Sequence, residues 1–84
     1  MGNPLLKYLA FVKTVEKGSF SRAARALNYA QSSVSKMVAD LEKEWGMTLL
    51  ERSKNGVCLT SAGEQVMPFL RKVLNDYHEL EGQV

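Results

Sequence analysis

Apolar side chains recur every three or four residues over the first 45 positions of the chain, which is the spacing of one face of an α-helix. The pattern predicts three helices: one over residues 4–17, a short one that follows Ser21 and ends at residue 27, and one over residues 31–45. Only three residues separate the second helix from the third. Because a connection that short forces two helices to cross steeply, the pair is typical of a helix-turn-helix.

Polar and small residues at the ends of these helices predict how each begins and ends. Asn3 and Ser21 are expected as N-caps of the first two helices, since their side-chain oxygens accept backbone N–H groups. Gly18, Asn28 and Gly46 follow the last apolar position of each helix and are expected to end it in the left-handed conformation.

Residues 48–60 carry the pattern of a β-hairpin. Two short segments, 49–52 and 57–60, flank residues 53–56, which contain Asn55-Gly56, a dipeptide that favours a type I′ turn. A hairpin that directly follows a helix-turn-helix is the wing of a winged helix. The fold class is therefore predicted to be mainly α, with a three-helix bundle, a β-hairpin wing and one long final helix.

The final helix is expected to begin near Thr60 or Ser61, because Ser61 and Glu64 have the spacing of a capping box. Pro68 lies inside it and is expected to bend the helix or loosen its first turns. Its apolar positions repeat with heptad spacing, which predicts a dimer seam. The seam and one neighbour form the predicted interface: Val66, Leu70, Val73, Leu74, Tyr77 and Leu80. Alternatively, Val66 and Leu70 pack on the first helix of the same chain.

The composition gives no indication of an enzyme or of a membrane protein. The longest apolar run has four residues, far short of the roughly 18 that a membrane span requires. Cys58 is the one cysteine, so no disulfide forms within the chain, and a cytoplasmic location is expected. His78 is the one histidine and has no metal-ligand partner four residues on. We expect no catalytic residue, no metal and no cofactor.

Charge is distributed unevenly along the chain. Residues 1–36 carry six basic groups and one acidic group, whereas residues 37–84 carry five basic and eight acidic groups. A basic first half favours contact with a polyanion. Hydrogen-bonding side chains at the start of the third helix are suited to base edges in a major groove. The predicted DNA contacts in that helix and in the wing are Gln31, Ser32, Ser35, Lys36, Arg52 and Lys54.

Five segments of the chain resemble, in order, the DNA-binding domain of LysR-type bacterial transcriptional regulators. The first two, Gly18-Ser19-Phe20-Ser21-x-Ala23-Ala24-x-x-Leu27-Asn28 and Gln31-Ser32-Ser33-Val34-Ser35-Lys36, are similar to the family's helix-turn-helix. The others are Leu41-Glu42-x-x-x-Gly46, Leu49-Leu50-Glu51-Arg52 and Leu59-Thr60-x-Ala62-Gly63. The resemblance covers essentially the whole chain.

The resemblance implies sequence-specific binding to double-stranded DNA at an interrupted inverted repeat. It implies recognition contacts from Gln31, Ser32, Ser35 and Lys36 and a wing contact from Arg52. Further contacts are assigned to Ser33, Ser21 and Arg22. Where Ala30 stands the family usually has Ser or Thr, which would cap the recognition helix.

The resemblance also implies an organisation into parts. Residues 1–60 are expected to form the winged helix-turn-helix and residues 61–84 a linker helix that pairs antiparallel in a homodimer. In the full-length protein a tetramer is expected, together with a C-terminal domain, absent from this chain, that binds a small-molecule effector. Two alternatives remain: a winged-helix module that assembles with another protein, and the N-terminal domain of a molybdate-responsive regulator.

Overall fold

The computed structural model describes residues 4–82, which form four helices and one two-stranded antiparallel hairpin. The predicted N-cap Asn3 lies outside these residues. The elements in chain order are α1 (Pro4–Lys17), α2 (Phe20–Leu27), α3 (Gln31–Trp45), β1 (Leu50–Ser53), β2 (Gly56–Leu59) and α4 (Ser61–Gly82). This is the predicted winged helix-turn-helix with a long last helix. No helix in the described range is long and apolar enough to cross a membrane.

The core lies where α1 packs against both α2 and α3. Phe11, Val34 and Leu41 are fully buried there, and each such side chain contributes about 1.5–3 kcal/mol relative to an exposed position. Ala23 and Ala24 are also buried, and their small side chains let α2 approach its neighbours closely. The apolar face of α3 is thus held inward, so that its opposite face is left on the surface.

One contact at the far end of α3 is ionic rather than apolar. Lys7 on α1 forms an ion pair with Glu44 on α3. The hydrogen bond from Lys7 to Glu44 raises the pKa of the Lys7 ammonium above its ordinary value. The ring of Tyr8 lies 5.8 Å from that of Trp45, centroid to centroid, beside this pair on the two helices. The C-terminal half of α3 is therefore attached to α1 by both charge and aromatic packing.

The start of α2 differs from the prediction, whereas its end agrees with it. Ser19 is the N-cap, and its Oγ accepts the N–H of Arg22 at 3.0 Å. Ser21 already lies inside the helix, so its predicted capping role was wrong. Both serines can cap, but only Ser19 makes Phe20 the first helical residue, with its ring buried in the core. Asn28 ends α2 in the left-handed conformation, as predicted.

The hairpin forms where it was predicted, but with a different turn. Ser53 pairs with Gly56 across a two-residue connection, and the positive φ, +122°, belongs to Gly56. A type I′ turn needs positive φ at both central residues, and here neither Lys54 nor Asn55 has it. The type I′ prediction was therefore wrong. The N–H of Asn55 is bound by Ser53 Oγ at 3.3 Å, which supports the observed turn.

Thr60 caps α4 in place of the predicted Ser61. Thr60 Oγ1 accepts the N–H of Gly63 at 3.0 Å and donates to the carbonyl oxygen of Thr48 at 2.6 Å. Because Ser61 is already helical, the predicted capping box does not form. Gly63 lies so close to the residue before β1 that an added Cβ would be 2.3 Å from the carbonyl oxygen of Leu49. The start of α4 is thereby held against the start of the wing.

The long helix α4 continues through Pro68 and presents two different apolar faces. Met67, Leu70 and Leu74 belong to the core of the chain itself, and Leu70 and Leu74 are only 5% and 9% exposed. For Leu70 this agrees with the alternative that it packs within its own chain, whereas the predicted assignment of Leu74 to a seam between subunits is corrected. Val66 is half-buried. The exposed apolar residues on α4 are Phe69, Val73, Tyr77 and Leu80.

Candidate nucleic-acid interface

The first turns of α3 present polar side chains to solvent. Gln31, Ser32, Ser33 and Lys36 are exposed, and Ser35 is half-buried. Val34 and Val38 anchor the opposite side of the same turns in the core. The N-cap, Ala30, makes no side-chain hydrogen bond to the helix. The leading end of α3 therefore combines exposed hydrogen-bonding side chains with N–H groups that no capping side chain satisfies.

Arg52 connects the wing to both helices of the helix-turn-helix. Its guanidinium lies 4.3 Å from the centroid of the Phe20 ring at the start of α2. Its Nη2 also donates a hydrogen bond to Ser35 Oγ on α3, at 2.9 Å. A cation–π contact of this exposed kind is worth about 0.5–1 kcal/mol. Arg52 and Ser35, 17 residues apart in sequence, are thus brought together with the arginine held in one orientation.

A shallow hollow joins α2, α3 and the wing. It measures about 190 Å³ and is lined by Ser19, Phe20, Ser21, Gln31, Arg52, Ser53, Gly56 and Val57. Three of the residues predicted from the sequence therefore meet in one concave surface: Ser21, Gln31 and Arg52. We call this surface the recognition hollow. Its walls carry a hydroxyl, an amide and a guanidinium, the groups that proteins use most on base edges and phosphates.

Lys36 has a partner that the sequence analysis did not assign. Its Nζ lies 3.0 Å from Oδ2 of Asp40, one helical turn further along α3. The hydrogen bond from Lys36 lowers the pKa of the Asp40 carboxyl below its ordinary value. The spacing of four residues made this pair visible in the sequence. Asp40 therefore competes with any anion for the ammonium group of Lys36.

The remaining predicted contacts, Arg22 and Lys54, are exposed at the two edges of this surface. Arg22 lies in the first turn of α2, and Lys54 lies in the turn of the hairpin. Neither side chain has a hydrogen bond or an ion pair within the range 4–82. Both are free to contact a polyanion.

Glu42 is a positioning residue that the sequence analysis missed. Its Oε2 accepts the backbone N–H groups of Leu49, at 2.7 Å, and of Leu50, at 3.2 Å. These bonds attach the first residues of the wing to the last turns of α3. The only available signal was its place in the segment Leu41-Glu42-x-x-x-Gly46, which gives no indication of a partner. Glu42 therefore holds the start of the wing against α3, in addition to the hydrogen bond between Arg52 and Ser35.

Comparison with known proteins identifies relatives for most of the chain. Residues 5–64 match the bacterial regulatory helix-turn-helix protein family, lysR family. The HTH-type transcriptional regulator GalR of Pseudomonas putida is 41% identical over 78 residues, which are 93% of this chain and 19% of GalR.

Solved structures agree over nearly the full length. A mutant OxyR of Corynebacterium glutamicum in its hydrogen peroxide-bound form has a TM-score of 0.93 and 32% identity, over 99% of this chain and 27% of that one. The DNA-binding domain of BenM in complex with benA site 1 DNA has a TM-score of 0.86 and 33% identity, over 94% and 92% of the two chains. This chain is thus much shorter than GalR and OxyR and similar in length to the BenM domain.

Proposed function

Because this chain belongs to the LysR family of bacterial regulatory helix-turn-helix proteins, we propose that it binds double-stranded DNA sequence-specifically and serves in transcriptional control. The observation that carries the proposal is the exposed start of α3. There, Gln31, Ser32, Ser33 and Lys36 face solvent while the opposite face of the helix is anchored in the core. The BenM domain, similar in fold and length, is a DNA complex.

In the proposed complex α3 enters the major groove with its first turns leading. Gln31 pairs bidentately with adenine, and Ser32, Ser33 and Ser35 contact base edges or phosphates. The N–H groups of the uncapped helix start favour a phosphate, because the helix dipole is positive at this end. Lys36 contacts guanine or a phosphate after it leaves Asp40.

The wing and α2 supply contacts on either side of α3. Arg52 and Lys54 are suited to a backbone phosphate or to the minor groove. Ser21 and Arg22 lie at the start of α2, where they meet the backbone that borders the same groove. Since Arg52 is already oriented by Phe20 and Ser35, it loses little conformational freedom on binding.

A second copy of the chain is the proposed partner of α4. The exposed apolar residues Phe69, Val73, Tyr77 and Leu80 follow one another at intervals of four, four and three. We call this set the α4 stripe. Four large apolar groups along one helix are typical of an association surface. Two copies paired through α4 would present two recognition helices to the two halves of an inverted repeat.

The test compares Gln31→Ala with Gln65→Ala, since Gln65 is an exposed glutamine on α4. A duplex selected from a random pool by the parent chain, and a mixed-sequence duplex, are titrated at two salt concentrations. We expect Gln31→Ala to weaken binding to the selected duplex by roughly 5- to 150-fold, equivalent to about 1–3 kcal/mol. Its binding to mixed DNA should change less, and Gln65→Ala should change neither.

Two outcomes would contradict the proposal. Equal losses on both duplexes would mean that Gln31 does not read bases. If the parent chain shows no binding, or binding that does not weaken with salt, DNA binding itself is rejected. That second result would favour a module that assembles with another protein.

A further inference from the structure

Three cationic side chains surround an open hollow on the side of the molecule, between the end of α1 and the outer face of α2. The hollow measures about 490 Å³ and is lined by Glu16, Lys17, Arg22, Arg25 and Ala26. We call it the basic hollow. Of its lining residues, only Arg22 belongs to the DNA contacts proposed above.

The cations of the basic hollow have no acidic partner among the residues that the structure describes. Glu16 is the one carboxylate in its lining, and it already lies 3.4 Å from Lys13 Nζ and 3.6 Å from an Arg71 guanidinium nitrogen. Within residues 4–82, no ion pair reaches Lys17, Arg22 or Arg25. Three like charges therefore lie around one concave surface, and the one carboxylate in its lining is paired with other cations.

Helix dipoles explain only part of this arrangement. Lys17 and Arg25 lie in the last turns of α1 and α2, where a cation is favoured. Arg22 lies in the first turn of α2, at the positive end of the dipole, and that turn contains no acidic residue. A cation there is unfavourable in the free chain and becomes favourable when an anion is bound.

The basic hollow adjoins the recognition hollow. Ser21, in the lining of the recognition hollow, is the neighbour of Arg22 in the first turn of α2. DNA that contacts Gln31, Ser21 and Arg52 would therefore continue outward past Arg22 and along the outer face of α2. The two hollows are thus linked through consecutive residues, Ser21 and Arg22, at the start of α2.

We propose that the basic hollow binds backbone phosphates of the DNA that flanks the segment contacted by α3. This inference rests on the proposed function and extends it to Lys17 and Arg25. Phosphate contacts of this kind raise affinity without reading sequence, and each one releases condensed counterions. Lys17 and Arg25 therefore increase the salt dependence of binding and leave the choice of sequence to α3 and the wing.

The experiment measures the slope of log affinity against log salt for a mixed-sequence duplex. The duplex has roughly 30 base pairs and is therefore about 100 Å long at 3.4 Å per pair. It is longer than the chain, whose longest dimension is 42 Å, so it extends beyond the segment that α3 contacts. The variant is Lys17→Gln with Arg25→Gln. The control, Lys43→Gln with Lys72→Gln, removes the same charge from exposed positions elsewhere. We expect the slope to fall by about 0.9 for each lost phosphate contact in the variant and to stay unchanged in the control.

Several results would overturn the inference, and they differ from those that reject DNA binding. If the parent binds DNA and the variant keeps the full slope, or the control loses as much, the basic hollow does not contact DNA. A lower melting temperature with an unchanged slope would assign Lys17 and Arg25 to helix stability alone. If the variant keeps the slope for DNA but no longer binds polyglutamate, the basic hollow is a binding site for an acidic protein and not for DNA. Absence of DNA binding by the parent would reject the proposed function as well.

Discussion

Gly56 in the wing lies directly against Gly18 in the turn between α1 and α2. A Cβ on Gly56 would be 2.4 Å from the carbonyl oxygen of Gly18, a distance that real Cβ atoms do not show. The same carbonyl oxygen accepts the N–H of Val57 at 3.2 Å. The wing is therefore held to the helix-turn-helix by a backbone contact that only glycine permits at position 56.

Gly56→Ala is expected to destabilise the chain more than Gly46→Ala does. Both glycines have positive φ, but the space around Gly46 is open, so alanine there costs about 1–2 kcal/mol of conformational strain. Alanine at position 56 must also displace the backbone at Gly18, which adds at least about 1 kcal/mol. Urea unfolding of the parent, Gly46→Ala and Gly56→Ala gives the three free energies of unfolding to be compared. Equal losses for the two variants would show that the contact with Gly18 yields without cost.

Asp40→Asn is expected to strengthen DNA binding by roughly two- to five-fold, the equivalent of one exposed ion pair. The substitution releases Lys36 from its partner on the recognition helix. Asp76→Asn is the matched control, because Asp76 pairs with Lys72 on α4 with the same spacing and nearly the same distance, 3.1 Å. Fluorescence anisotropy with mixed duplex DNA measures both. If both variants gain the same affinity for DNA, the cause is the change in net charge and not the release of Lys36.

Ala30→Ser is expected to stabilise the chain by about 1 kcal/mol, because it supplies the missing side-chain cap of α3. Ser19→Ala provides the opposite comparison, since Ser19 caps α2 with a 3.0 Å hydrogen bond and its loss should cost a similar amount. Thermal unfolding followed by circular dichroism measures both. A loss at position 19 without a gain at position 30 would mean that α3 does not use a serine cap.

Val73→Glu is expected to convert a dimer into a monomer, because it places a charge in the middle of the α4 stripe. Met47→Glu is the control: Met47 and Val73 are both 41% exposed, but Met47 lies in the connection between α3 and the wing. Analytical ultracentrifugation over a range of concentrations measures the association, and circular dichroism verifies folding. A parent chain that stays monomeric at high concentration, or a Val73→Glu dimer, would exclude the α4 stripe as the interface.

Local patterns were sufficient to predict the elements and the outward face of α3. Helical periodicity and the left-handed caps at Gly18, Asn28 and Gly46 depend on neighbours within about one helical turn, so both can be predicted from the local sequence. The exposure of Gln31, Ser32, Ser33 and Lys36 follows from the same periodicity, because Val34 and Val38 must face the core.

Tertiary packing decided what local patterns left open. Ser19 and Ser21 have the same capping chemistry, and the burial of Phe20 in the core selects Ser19. The positive φ of Gly56 occurs where its backbone contacts Gly18. The heptad repeat did not reveal that Leu70 and Leu74 pack within the chain while Val73 stays exposed, since a repeat shows which residues are apolar and not what covers them. The contacts of Arg52 and Glu42 join distant segments, and only the folded chain brings those segments together.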